Sequence, residues 1–503
     1  MASLKAGPRP ISNEQQCTGL HTTPGYTPMV MTKKFLVLNM AIVLVNAAIG
    51  LFINMAIFSG PVGVRERFVV LPEDVAPNEA PILEYATEDP TANGTEPRDA
   101  IGCQKSPESR FASFDSSRGF VDKSRMFKTH PFFIPGDRWE NTTSSWKVCM
   151  SLQTSVDLLF WLSRQVEMWT GPISVAVFTP DADYTVALRM IKYLKTCNPE
   201  GMSSVSFHVA YPKNHPPRYI REEDDVVKEY NCDAPETVNK ELLRELRSEE
   251  LQRMIQNSRY PQNLLRNVAR EGCPSDFAFT PDIDMIPISR MADDLNAFLA
   301  TSGEAQCNKC AFVIPTYEIH TAVTTNPKDK VELRKLIIEK RAQRFHIKSF
   351  APNQANSNLG KWERTAITPK LQVLYNITTW RSYWEPIYVT KANVPSFDER
   401  FVGYGFTRNT QVYEMHVADY TWHMLSNVFL CHRGFQTVKT HSKVRRAQIR
   451  ENGKKYQAFR MELYARYGKE AANYEPKKKA GNKTKADKNK KNVIKMKTKK
   501  QTK

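Results

Sequence analysis

A chain of 503 residues with 41% hydrophobic and 10% aromatic content can bury a large core, which excludes a disordered protein and leaves room for one large domain or several ordinary ones. The formal charge of +18 resembles a nucleic-acid footprint until it is located: 13 lysines against the single acid Asp487 between Lys477 and Lys503 supply +12 of it and leave +6 for the rest. The basic signal belongs to a tail, so no nucleic-acid partner is expected of the folded part.

In chain order, residues 1–34 form a short leader with Lys5, Arg9, Lys33 and Lys34 against Glu14. Residues 35–58, "FLVLNMAIVLVNAAIGLFINMAIF", carry no charge and as a helix can span roughly 30 Å of hydrocarbon. This predicts a single-pass signal anchor with its short end cytosolic; a cleaved signal peptide fits less well, because its apolar core runs to only about 7–15 residues. Residues 59–109 are rich in Pro, Glu, Asp and Asn without an apolar period, and read as a stem. The N-x-S/T sequons at Asn93, Asn141, Asn376 and Asn482 all follow the span, as do eight of the nine cysteines, all except Cys17. Both observations place that side in an oxidising lumen where disulfides form, and "CNKC" at 307–310, lacking a second C-x-x-C, suits a disulfide better than zinc.

Residues 110–475 form the expected globular domain. "SLQTSVDLLFWLSRQVEMW" reads as a helix, "PISVAVFTP" as a strand, "ADYTVALRMIKYLKTC" as a helix and "VSFHVAYP" as a strand. The charged "ETVNKELLRELRSEELQRMI" and the following "PQNLLRNVARE" are helical, and "DFAFTPDIDMIP" ends a strand. Then come "MADDLNAFLA" (helix), "CAFVIPTYEI" (strand), "KDKVELRKLIIEKRAQRF" (long helix) and "NVFLCH" (strand). Alternation of this kind predicts an α/β fold with a mixed, mostly parallel sheet covered by helices on both faces. Residues 476–503 cannot bury a core and read as a solvated tail.

Ligands of such sheets collect beyond the carboxyl ends of the strands, where Asp282 and Asp284 fall. In an extended segment residues two apart share a face, so the two carboxylates would converge as hard oxygen donors for a divalent cation, with Ile283 turned away. The plainer reading is a pair of exposed loop acids. "FTPDADY" at 178–184 is a second D-x-D, but a helix follows at once, so Asp181 or Asp183 is expected to cap it. His432, ending the late strand, is by itself an ordinary structural histidine.

"WTGPISVAVFTPDADY", "YPQNLLRNVARE", "FTPDIDMIP", "WEPIYVTKANVPSFDERFVGYGFTRN" and "NVFLCHRGF" resemble glycosyltransferase family 49 over roughly residues 110–470, on the side of its glucuronyltransferases rather than of the two-domain LARGE enzymes. The resemblance implies a GT-A nucleotide-sugar fold in the Golgi lumen and a manganese-dependent (Mn2+), inverting transfer of glucuronic acid from UDP-glucuronic acid to a xylose-terminated O-mannosyl glycan on dystroglycan-like glycoproteins, with a LARGE-type enzyme as a possible partner. Matched residue by residue, Asp282 and Asp284 become metal ligands joined by His432, and Arg266, Asn267 and Arg270 become donor-contacting residues. For the base that takes the acceptor proton, Glu385, Asp398, Glu399 and Glu414 are candidates, with Glu414 preferred because it follows "GYG". Trp380, Trp384 and Tyr388 are expected in the core rather than on a sugar. Use of another UDP-sugar, or a non-catalytic glycan-binding scaffold on the same fold, are the alternatives.

Overall fold

The computed structural model describes residues 114–221, 231–437 and 443–474. The apolar span, the stem, the lysine tail, Asn93 and Asn482 lie outside these residues, among which no helix is long and apolar enough to cross a membrane.

Among the described residues fourteen strands form two sheets. The first eight are β1 (Phe120–Val121), β2 (Phe127–Ile134), β3 (Val148–Ser155), β4 (Ile173–Phe178), β5 (Val205–Pro212), β6 (Phe277–Phe279), β7 (Met285–Pro287) and β8 (Cys310–Ile314). They are followed by β9 (Thr316–Ile319), β10 (Ala342–Arg344), β11 (Val373–Ile377), β12 (Ile387–Lys391), β13 (Thr421–Leu425) and β14 (Leu430–Arg433). The larger sheet runs β1-β2-β5-β4-β3-β6-β12-β8-β13-β11, and the smaller β10-β9-β14-β7.

The expected α/β class with a mixed sheet is present, but the large sheet is not mostly parallel. Its centre, β5-β4-β3-β6, is parallel, whereas β12 inserts antiparallel between β6 and β8 and the outer pairs β1-β2, β2-β5 and β11-β13 are antiparallel. Period-2 alternation along β4 shows how the centre is covered. Val175 and Val177 face the helix Asp183–Cys197 through Val186 and Met190, while Ala176 and Phe178 face the helix Gln262–Glu271 through Leu264, Leu265 and Val268. The second of these helices thereby comes to lie beside the strand ends that precede Asp282.

Residues 151–155, expected as the start of a helix, belong instead to β3. All but Ser155 are buried, and hydrogen-bonding to β4 on one side and β6 on the other overrides the helical spacing of their apolar residues. The long charged helices are shorter than predicted. One breaks between Leu246 and Glu249, where Ser248 caps the new start, and the other ends at Ile338 before β10. Pro315, without an N–H, divides "CAFVIPTYEI" into β8 and β9, which belong to different sheets.

Disulfides join Cys149–Cys273, Cys197–Cys232 and Cys307–Cys310, so the C-x-x-C closes on itself as expected. Cys431 is a free, buried thiol. The second D-x-D does not cap its helix: Ala182 is the N-cap residue, and Asp183 is 2% exposed in a two-pronged pair with Arg247 at 2.8 and 2.9 Å. Arg247 also binds Asp157, and Asp181 pairs with Arg218. Burial pushes the Asp183 carboxyl up to about 6 against the pull of Arg247.

Removing one partner from such a pair leaves buried charge uncompensated. Arg247→Met is expected to lower unfolding stability by about 3–5 kcal/mol, measured by denaturant titration against Arg218→Met, whose exposed pair contributes about 0–1 kcal/mol.

Candidate active site

Strand order determines where a crevice forms. From β3 the chain steps outward to β4 and β5, then returns to the opposite flank of β3 as β6. The order reverses at β3 and β6, and at such a reversal the connections diverge and leave a gap beyond the carboxyl ends. Beside it, where β6 ends against β3, the Ser151 and Thr280 hydroxyls meet at 2.7 Å, and further along β3 the Tyr260 hydroxyl donates to Gln153 at 2.6 Å.

Asp282 and Asp284 occupy the link from β6 in the large sheet to β7 in the small one. The link is a turn rather than extended strand, with the Met285 N–H donating to the Asp282 carbonyl at 2.9 Å. Ile283 is nevertheless buried, and both aspartates are partly exposed.

The two acids have different partners, which is how the chain tolerates them so close together. Asp282 Oδ1 accepts from Arg266 at 3.1 Å and from Arg408 at 2.7 Å, and Arg408 also donates to the Thr280 carbonyl at 2.8 Å. Burial alone would raise the Asp282 carboxyl, but the two guanidiniums override it and hold the group far below the usual carboxylate range. Both contacts fall on Oδ1 and leave Oδ2 unused by either arginine.

Asp284 faces His432, with Oδ2 and Nε2 3.4 Å apart. Register explains the approach: β14 pairs with β7 so that His432 lies opposite Met285, the residue after Asp284. Burial would lower the imidazole, but the Asp284 carboxylate outweighs it and raises the pKa. His432 Nδ1 lies 3.3 Å from the Gly434 carbonyl. A carbonyl only accepts, so the proton of neutral His432 belongs on Nδ1, and its Nε2 lone pair accepts from the Gln436 side-chain amide at 3.2 Å on the side where Asp284 lies. A carboxylate oxygen and an imidazole nitrogen so placed fit a divalent cation. Among the described residues no three His, Cys, Asp or Glu side chains cluster as a metal cage, and Asp282 Oδ1 is taken by its arginines. The cradle around His432 is tied by Glu318, buried on β9, which accepts from Gln343, the His346 N–H and the Gln436 N–H at 2.6, 2.9 and 3.0 Å.

Of the donor-contacting candidates, Arg266 reaches Asp282. Asn267 and Arg270 instead tie down the loop after β12: Asn267 donates to the Phe397 carbonyl and Glu399, and Arg270 to the carbonyls of Ala392 and Val394 and to Ser396. Glu414 is engaged by Arg466 at 2.6 Å and Tyr467 at 3.0 Å, on the side of its helix that packs against Lys443–Arg466. Asp398 pairs with Arg400. Glu385 is the candidate carboxyl in the field of the centre: burial raises it, with Asp282 adding to the rise, and Arg408 and Arg266 only partly offset this, leaving it at about 7. Asn353 donates to its Oε2 at 2.7 Å. Arg408 was not singled out in the sequence, although it stands three residues after the GYG of "GYGFTRN". Trp384 and Tyr388 are core residues, and half-buried Trp380 stacks on His416. Asn141 and Asn376 are both exposed.

The family model described as "Glycosyl-transferase for dystroglycan", glycosyltransferase family 49, matches residues 147–468. The chain belongs to this family. It is similar to human beta-1,4-glucuronyltransferase 1, 32% identical over 355 residues that cover 70% of this chain and 82% of the relative. The zebrafish protein of the same name is 29% identical over 362 residues with the same coverage. Human xylosyl- and glucuronyltransferase LARGE1 is 25% identical over 311 residues, 62% of this chain and 34% of that larger protein. This family 49 chain is therefore a glycosyltransferase, for which a nucleotide-sugar donor and a glycan acceptor are implied.

Arg408 joins a strand-end carbonyl to Asp282 with one planar fork, which a lysine cannot reproduce. Arg408→Lys is expected to lower kcat/KM for sugar transfer by about 10²-fold with an unchanged thermal midpoint, read by initial rates and calorimetry.

Proposed function

We propose that the chain is a Golgi-lumenal glucuronyltransferase of type II topology with a GT-A-type fold. It would transfer glucuronic acid from UDP-glucuronic acid to a xylose-terminated glycan in β-1,4 linkage, on dystroglycan-like O-mannosyl glycoproteins. The observation that carries this is the pairing of Asp284 with His432 beside an arginine-restrained Asp282 at the strand-order reversal. It is supported by similarity to proteins named as glucuronyltransferases.

In this reading Asp284 and His432 hold the cation, Mn2+ by preference, and Asp282 offers Oδ2 from a position fixed by Arg266 and Arg408. When bound, the metal supplies positive charge to the donor's diphosphate as it leaves. Arg266 and Arg408 keep Asp282 ionised across the working pH range and add positive potential at the same rim. Glu385 replaces Glu414 as the proposed base: it lies in the field of the centre, and its raised pKa suits it to take the acceptor proton near neutral pH. Glu414 serves instead to anchor the helix Lys443–Arg466 through Arg466. Exposed Asn141 and Asn376 are the proposed glycan carriers in the lumen.

The test is a UDP-sugar panel on the full-length protein with and without chelator. Glucuronate transfer that stops on chelation and returns with Mn2+ is expected; transfer that survives chelation, or Asp284→Asn together with His432→Ala at wild-type rate, would overturn the site. Because Glu385 must be ionised to act, kcat/KM is expected to climb as pH rises through about 7. Glu385→Gln should lose about 10²–10⁴-fold in kcat while still binding UDP, and Glu414→Gln should keep the same pH profile. Removing N-glycans enzymatically should shift the electrophoretic mobility of the wild type more than that of Asn141→Gln/Asn376→Gln.

A further inference from the structure

Beside Glu385 runs a row of aromatic rings that the fold leaves open to solvent. Phe350 and Tyr383 are 45% and 47% exposed, with ring centroids 6.1 Å apart. Tyr383 lies 5.9 Å from half-buried Phe406, which stacks on buried Tyr456 at 4.7 Å. Tyr383 and Phe406 both have left-handed backbones, φ 67° and 61°, a conformation bulky side chains adopt only where surrounding structure imposes it.

The row is tied by hydrogen bonds to the proposed base. The Asn353 N–H donates to the Phe350 carbonyl at 3.0 Å, the Glu385 N–H to the Asn353 carbonyl at 2.9 Å, and the Asn353 side chain to Glu385 Oε2 at 2.7 Å. Tyr383 precedes Glu385 by two residues, and Phe406 precedes Arg408 by two. Arg381 and Ser382, exposed next to Tyr383, supply polar groups at its edge.

We infer that Phe350 and Tyr383, backed by Phe406, form the platform for the acceptor saccharide, stacking the sugar that precedes the accepting residue. A pyranose ring presents an apolar face of C–H groups with hydroxyls around its rim, and it matches an exposed ring flanked by hydrogen-bonding side chains. The linkage through Asn353 sets the platform at a fixed offset from Glu385, so a stacked sugar directs its neighbour's hydroxyl toward the carboxylate. This assignment rests on the proposed transfer reaction, with Phe350 and Tyr383 as binding rather than catalytic residues.

The test compares a xylose-terminated disaccharide with a simple alkyl xyloside on the full-length protein, using Tyr383→Asn, which tolerates the left-handed backbone, and Phe350→Ala. For the disaccharide the acceptor KM is expected to rise about five- to tenfold in each variant. The donor KM, kcat at saturating acceptor and the KM for the short xyloside should stay unchanged, and Tyr383→Phe should behave as wild type. Saturation-transfer NMR of the disaccharide provides a readout independent of turnover. Loss of contact in both variants supports the platform even if glucuronate proves the wrong donor. Wild-type contact in both variants, a parallel rise in donor KM, or no contact with the wild-type protein would overturn it.

Discussion

The neutralisation of Asp282 is the constraint around which the site is arranged. A carboxylate at the junction of two sheets is partly withdrawn from water, and ionised there it needs compensating charge. The compensation comes from two elements distant in sequence: Arg266 on the helix Gln262–Glu271 and Arg408 on the helix Thr407–Val417. Because Arg408 also holds the Thr280 carbonyl, the end of β6, the aspartate and the later helix are fixed as one unit. The two arginines repel each other, and Asp282 between them is what makes their proximity tolerable.

From that unit the remaining geometry follows. With β6 and β7 in different sheets, the turn between them crosses from one sheet to the other, and β14 aligns with β7 to bring His432 to Asp284. Glu318, on the neighbouring β9, then ties the loop after β10 and the chain after β14. On the opposite side the loop after β12 is held by Asn267 and Arg270, and Glu385 stands just before β12, where burial and the same two arginines set its protonation. One helix, Gln262–Glu271, thus serves two purposes with three polar residues: Arg266 toward the aspartate, Asn267 and Arg270 toward the loop.

Much of this was legible in the sequence. The strands β4 and β5, the helices 183–197 and 262–271, the late strand before His432 and the aspartate pair at a strand end stand where apolar period and turn residues put them. The misread stretch has a physical origin. β3 carries apolar residues at helical spacing, yet a strand buried on both faces and paired on both edges needs no amphipathic alternation to declare it. The surroundings of Glu414 were not legible either, because proximity along the chain to GYG says nothing about the face of the helix on which it lies, where it meets Arg466.

The sequence by itself determined the kinds of groups available: acids bracketed by prolines, a cysteine pair close enough to bond to itself, a family pattern long enough to be recognised, and apolar runs of the right period. Only the tertiary structure decided which acid meets which base. Charge pairing acts over a few ångströms, whereas Arg408 reaches Asp282 across 126 residues of chain and His432 reaches Asp284 through strand register. Those distances close only when the two sheets are assembled, because no local spacing encodes them.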